Sequence, residues 1–371
     1  MPGRKLLAIA VIAAIVAVPS AQAHSQNGNG WKTVASGLDN PRGIALAKNG
    51  DLWIAEAGKG GAGPCFPGEE GSDACFGLTG AFTLVHNGWQ KRVVTGLPSV
   101  ADKGTGDNAT GAHDIVVNGK KVTGLIGSGG TPEQRAEIPS AALAGHIVKI
   151  DPWTGKVWPF ADLVQYEADN DPDGTGIIDS DAYGIAQRHG GFVVADAAGN
   201  DVLGVDYHKH ISTLAVFPAV QVDAPPFLGL PAGAKIPMEA VPTTVAVRPK
   251  DPNVYVGQLT GFPFPPGAAN VWGIRPDGST FVYASGFTNI IDIAWGPKGS
   301  LYVLEITANG LLSDDPTGAL VKVWPNGDRK VVASDGLITP TAVAIGKDGS
   351  VYVSNYGTSA GKGTVVNIGK V

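Results

Sequence analysis

The sequence predicts an all-β fold, a six-bladed β-propeller whose last blade is closed by the N-terminal strand, and three observations predict it. First, one strand pattern recurs: Leu52-Trp-Ile-Ala-Glu56, Phe192-Val-Val-Ala-Asp196, Val254-Tyr-Val-Gly-Gln258, Leu301-Tyr-Val-Leu-Glu305 and Val351-Tyr-Val-Ser-Asn355. Internal repetition of this kind fixes an architecture before any motif is weighed. Second, the 371 residues include 53 Gly and 27 Pro with no collagen period, the composition of many short strands joined by tight turns. Third, Lys32-Thr-Val-Ala-Ser-Gly-Leu38 nearly duplicates Lys330-Val-Val-Ala-Ser-Asp-Gly-Leu337, although the two lie at opposite ends of the chain.

From the N-terminus, Arg4 and Lys5 precede an apolar run from Leu6 to Val18, followed by Pro19-Ser-Ala-Gln-Ala23. This reads as a secretory signal peptide over residues 1–23. A flexible segment follows at 24–30, and a single propeller domain is expected over 31–371. The apolar run is too short to span a bilayer, so the mature protein is expected to be secreted or periplasmic, with no membrane span. Net charge is −6 and no block of Lys and Arg exceeds two residues, which argues against a nucleic-acid partner. The two cysteines, Cys65 and Cys75, have no histidine near them in sequence. In an exported chain they read as a disulfide closing a surface loop, with about 2–3 kcal/mol of stabilisation.

The blades follow from apolar–polar alternation broken by turn dipeptides. Ile44-Ala-Leu46 turns at Asn49-Gly50 into Leu52-Trp-Ile54, Ile293-Ala-Trp295 turns at Lys298-Gly299 into Leu301-Tyr-Val303, and Val343-Ala-Ile345 turns at Asp348-Gly349 into Val351-Tyr-Val353. Fainter copies start at Ile115, Ile185 and Val245. Third strands are read from Gly80, Gly145, Ala269 and Gly318, and fourth strands from Lys91, Phe281 and Lys330. The last unit stops after three strands, at Gly363 to Gly369, so Lys32 to Leu38 should supply its fourth. That pairing closes the ring and hides an edge that would otherwise invite aggregation.

Aligning the units gives two columns. One, at the start of the innermost strand, holds Arg42, His113-Asp114, Tyr183, Thr243-Thr244, Asp292 and Thr341; the other, at the end of the next strand, holds Glu56, Leu125, Asp196, Gln258, Glu305 and Asn355. Antiparallel pairing brings both to one mouth of the central channel. Two readings compete there. In the first, these residues cap strand ends and pair with one another, as Arg42 with Glu56. In the second they form a binding site, where Asp114, Asp196, Asp292 and Glu305, with Asn355, hold Ca²⁺ through oxygen ligands. Were the site catalytic, His113 would serve as general base and Tyr183 as proton donor, with Asp114 and Glu305 beside them. A second acidic stretch, Asp169-Asn-Asp171-Pro-Asp173-Gly174, matches the start of a Ca²⁺ loop but lacks its closing Glu, because Ser180 stands at the twelfth position.

Four stretches resemble the ScyD/ScyE family: Gly37-Leu-Asp-Asn-Pro-Arg-Gly-Ile-Ala45; the Cys65–Cys75 loop with Gly77-Leu-Thr-Gly80; Leu259-Thr-Gly-Phe-Pro-Phe-Pro-Pro-Gly267; and Gly286-Phe-Thr-Asn-Ile-Ile-Asp-Ile-Ala294. The resemblance runs from Trp31 to the C-terminus and departs at Asp179-Ser-Asp-Ala-Tyr-Gly184, where the family has Asp-Ser-Asn-Pro-Tyr. It implies an exported bacterial protein related to NHL-type six-bladed propellers. The expected function is binding of a small molecule, a cation or an exported protein partner at one channel mouth, by a monomer. The alternative is a Ca²⁺-dependent hydrolase resembling propeller lactonases, and a third reading is an interaction scaffold that uses its loops alone.

Overall fold

The structure is a computed structural model that describes residues 30–67, 73–128 and 130–371. The leader predicted over 1–23, and all of the 24–30 segment but its last residue, lie outside the described residues. Six antiparallel sheets follow one another along the chain, as the repeat requires. Blade 1 is Pro41–Leu46, Leu52–Glu56, Asp73–His86 and Trp89–Asp102. Blade 2 is Ala112–Asn118, Lys121–Ile126, His146–Ile150 and Val157–Asp162. Blade 3 is Ala182–Arg188, Gly191–Asp196, Asp201–Asp206 and Ile211–Val216. Blade 4 is Pro242–Val247, Val254–Gln258, Ala269–Ile274 and Thr280–Phe287. Blade 5 is Ile290–Trp295, Leu301–Glu305, Ala319–Val323 and Arg329–Ala333. Blade 6 is Ala342–Ile345, Ser350–Asn355 and Gly363–Lys370, and Lys32–Leu38 adds its fourth strand, antiparallel to the third. The closure predicted from the duplicated segment is the one observed.

The first strands of successive blades touch in sequence order and the last touches the first, so they line the axis of a closed ring. Apolar residues on the two faces of each sheet meet those of the next blade. Trp53, Phe82, Ile126 and Val148 join blades 1 and 2; Ile147, Ile185, Phe192 and Val194 join 2 and 3; Leu38, Ile44, Ile54 and Val365 join 6 and 1. Leu38 is fully buried, which makes the N-terminal strand part of the core. Burying one such side chain is worth about 1.5–3 kcal/mol.

Gly43 stands where the first strands of blades 1 and 2 approach most closely, since a Cβ built on it lies 2.7 Å from both Asp114 Cα and the His113 carbonyl oxygen. Gly43→Ala is therefore expected to lower stability by about 1–3 kcal/mol, the usual cost of overpacking. Denaturant unfolding checks this; an unchanged midpoint would mean that the two strands part freely.

Three features were not read from the sequence. The two outer strands of blade 1 run on for 14 residues each and carry a further short strand, Cys65–Pro67, joined to them by the Cys65–Cys75 disulfide. A hairpin, Val220–Asp223 with Lys235–Met238, intervenes between blades 3 and 4. A helix, Leu163–Asn170, follows blade 2 and is capped by the Asp162 carboxylate, which accepts from Gln165 N. No helix among the described residues is long and apolar enough to cross a membrane.

Candidate functional site

Register decides which residues reach the axis. In five blades the pairing of the first two strands slips by one residue, between Pro41 and Gly43, Ala112 and Asp114, Ala182 and Gly184, Pro242 and Thr244, and Ile290 and Asp292. The extra residue in each is Arg42, His113, Tyr183, Thr243 and Ile291. Such bulges re-aim a side chain at a sheet rim. The true column is therefore Arg42, His113, Tyr183, Thr243, Ile291 and Thr341, every member at least nine-tenths buried. Asp114, Thr244 and Asp292 form the next layer down, so Asp292 is the partner of Asp114 and not of His113. The second column also needs correction in blade 2, where Ala112 pairs with Ile126 and Leu125 falls one residue short.

Most of the bulge column latches one blade to the next. Arg42 donates from Nε and Nη2 to the Ala109 carbonyl at 3.2 and 2.8 Å. His113 Nδ1 lies 3.1 Å from the Ala182 carbonyl, and its Nε2 accepts from Gly111 N. Thr243 donates to the Ile290 carbonyl, and Thr341 to that of Pro41. This bonding sets a neutral His113 with its proton on Nδ1. Burial, and then the Arg42 charge, hold its pKa down at about 3. As a general base it fails on both counts: its lone pair is occupied and its basicity is gone. Two buried groups in the column, Arg42 Nη1 and the Tyr183 hydroxyl, have no close hydrogen-bond partner, although the two interact with each other. Tyr183 packs its ring 4.6 Å from that of His113 and feels the charges of Arg42, Asp181 and Asp292. Burial raises its pKa, so it is a neutral phenol.

The second column is occupied by the fold. Glu56, fully buried, accepts from Thr83 Oγ1, from Asp39 N at 2.8 Å, and from Arg92 Nε and Nη2. Its cation is thus Arg92 of the outermost strand, not Arg42, whose guanidinium faces inward to Ala109. Asp196 accepts from Ser180 Oγ, Asp181 N and Gly199 N; Glu305 accepts from Thr288 N at 2.7 Å; Asn355 accepts from Ile338 N and donates to the Gly336 carbonyl. Gln258 accepts from Asn270 Nδ2 and Trp272 Nε1. In four blades this side chain pins the backbone of the loop that leads into the first strand.

These commitments scatter the proposed Ca²⁺ ligands. Asp114 accepts from Ile115 N and Ile185 N, while Asp292 accepts from Thr244 Oγ1, Ile293 N and Val343 N. Burial raises Asp114 to about 8, helped by the Asp292 charge, and Asp292 to about 6. Asp196, Glu305 and Asn355 bind their own loops instead of joining them. Among the described residues, one set of three or more acidic, His or Cys ligand atoms lies within 4.8 Å of one another: Glu167, Asp171 and Asp173. The Asp-rich loop thus contributes Asp171 and Asp173, whereas Asp169 turns away to accept from Gln165 Nε2. Glu167 was not foreseen; its position depends on the helix, which the sequence reading did not place.

Tyr183 belongs to one buried apolar cluster with Val241, Leu259, Ile291, Ile306 and Leu311, to which the Phe-Pro-Phe-Pro-Pro loop contributes Phe264. Phe262 points outward, at 6.2 Å ring to ring from the exposed Phe227 of the inserted hairpin.

The fold and site define a six-bladed β-propeller, and known structures agree. No family model matches the chain, and no curated protein matches it in sequence. The calcium-binding protein regucalcin of Agrobacterium tumefaciens is similar in structure, with a TM-score of 0.50 and 10% identity, covering 92% of this chain and 96% of that one. A streptogramin B lyase gives 0.45 and 12% identity, covering 91% and 97%. The extracellular domain of a protein assigned to the one-component systems of B. thetaiotaomicron gives 0.43 and 9%, and the chain spans 39% of its length. At such identities the likeness shows the fold alone.

Proposed function

We propose that the chain is an exported, monomeric propeller of ScyD/ScyE type that binds a small polar molecule inside the channel mouth, without catalysis. One observation carries this reading: Arg42 Nη1 and the Tyr183 hydroxyl are both buried at the same mouth, with no close hydrogen-bond partner beyond their interaction with each other, so one acceptor can meet both. An orphaned buried polar group costs about 1–3 kcal/mol, more when charged. A ligand that offers an acceptor to Arg42, such as a carboxylate or hydroxyl, removes that cost. The family resemblance and the 1–23 leader support export. A Ca²⁺-dependent hydrolase at the axis is less well supported, since His113 is neutral and occupied and Glu305 is held by Thr288 N.

Native mass spectrometry and thermal shift with acetate, succinate, gluconate and hydroxybenzoate test the proposal. A bound species or a raised Tm is expected for the native chain, weakened at least tenfold in Arg42→Lys and Tyr183→Phe. A chain of bare mass that responds to none of these compounds would remove the reading. Turnover of lactones or esters, lost in Glu305→Gln, would favour the hydrolase instead.

A further inference from the structure

Beside blade 3, next to Asp196 of the second column, a further group of carboxylates gathers. Glu167, on the last turn of the helix, meets Asp171 and Asp173 with ligand atoms within 4.8 Å of one another. Asp171 is the helix C-cap, in left-handed conformation with φ of 41°, which folds the chain back so that Asp173 faces Glu167. Asp171 accepts only from Gly176 N, and Asp173 uses one oxygen for Thr175, leaving its other free.

A second observation points to a ligand. Asp201, at the start of the third strand of blade 3, is fully buried, yet neither of its carboxylate oxygens has a partner; Glu167 Oε1 is likewise buried and unpartnered. Asp201 senses the charges of Asp196, Glu167 and Asp173, and Glu167 those of Asp196, Asp173, Asp171 and Asp179. The turn between them is tight: a Cβ on Gly199 would stand 3.4 Å from both Glu167 Oε2 and Asp196 Cγ. No Lys or Arg makes an ion pair with any of these carboxylates among the described residues. Buried charges are paired or bind metals, because an isolated ionised carboxylate in the interior is prohibitively costly.

We propose that Glu167, Asp171 and Asp173, with Asp201 beneath them, form a binding site for a divalent cation, Ca²⁺ by the chemistry of its donors. Every donor is a carboxylate oxygen, and none is a His or Cys that would select zinc or copper. The three mutually close donors sit on a helix end and a half-buried turn, a yielding frame that suits the irregular coordination of Ca²⁺ better than the strict octahedron of Mg²⁺. The cation would tie the helix and its following loop to the edge of blade 3. The site is independent of the Arg42–Tyr183 pair, and neither proposal needs the other.

Calorimetric titration of CaCl₂ into the EDTA-stripped, full mature protein tests it, with melting followed in parallel. One Ca²⁺ per chain is expected, with a Tm raised by several degrees and a weaker response to MgCl₂. Asp171→Asn with Asp173→Asn, on a half-buried turn where asparagine keeps an acceptor for Gly176 N and Thr175, should weaken Ca²⁺ binding at least tenfold and abolish the Tm response, with melting in EDTA as the control for folding. Asp201→Asn should weaken it and melt higher than the native chain in EDTA. Absence of heat with Tm unaltered by Ca²⁺ would overturn the proposal, as would Ca²⁺ binding that survives the Asp171/Asp173 double variant undiminished.

Discussion

Glu56→Ala is expected to destabilise the propeller by about 2–4 kcal/mol, because it removes a fully buried acceptor and leaves its donors unsatisfied. The carboxylate is fully buried and takes hydrogen bonds from Thr83, from the Asp39 backbone and from two nitrogens of Arg92. Arg92 also donates to the Gly37 carbonyl and Asp39 Oδ2, so one pair holds the segment between the closing strand and blade 1. Removing the carboxylate leaves Asp39 N and Thr83 Oγ1 unsatisfied, although Arg92 can turn its half-exposed guanidinium to water. Glu56→Gln keeps one acceptor and should cost less than half as much. Arg92→Met, by contrast, strands the buried carboxylate and should cost at least as much as the alanine variant. Urea unfolding separates these cases. Equal, small losses in all three variants would show the network to be incidental.

The same residue shows what the sequence made legible. The recurrence ending in Glu56, Asp196, Gln258, Glu305 and Asn355 located the blades correctly, because apolar–polar alternation is local and survives without a structure. Its polar ends read as a ring of ligands because column alignment gives height along the axis but no direction. Direction comes from the bulge, which leaves no clear mark in the sequence. Arg42, His113 and Tyr183 swing to the axis, while Glu56, Asp196, Glu305 and Asn355 turn back to the loop that leads into their own blade. One usable signal was present: the carboxylate or amide lies 17 residues after the amide it caps in three blades and 15 in the fourth. A fixed internal spacing of that kind points to a bond within the repeat. The acidic group behind blade 3 was half visible. Asp171 and Asp173 are neighbours in sequence, but Glu167 joins them through a helix and Asp201 through a strand pairing, and neither link is local.

In the EDTA-stripped protein, Tm is expected to rise as the pH falls from about 8 to about 6. Burial, with like charges beside them, raises Asp114 and Glu167 to about 8 and Asp179 to about 7; burial raises Glu305 to about 7 and Asp292 to about 6. In the unfolded chain these groups ionise near pH 4. Between the two values the folded state holds protons that the unfolded state has lost, so stability is fully present below about pH 4 and is lost as the pH climbs through the folded values. Each such proton steepens the slope by about 1.4 kcal/mol per pH unit. His113 works in the opposite sense: with its folded value near 3, its contribution fades only as the pH drops below its unfolded value of about 6.5. Over the neutral range the carboxyls therefore decide the sign. Asp114→Asn should flatten the slope by removing one of these protons whether or not Ca²⁺ is present. Glu167→Gln should flatten it only in EDTA, because a bound cation already replaces the Glu167 proton in the native chain. A Tm that is level or falls on acidification from pH 8 would mean that these carboxylates are paired with cations in solution, and would contradict their arrangement along the channel and behind blade 3.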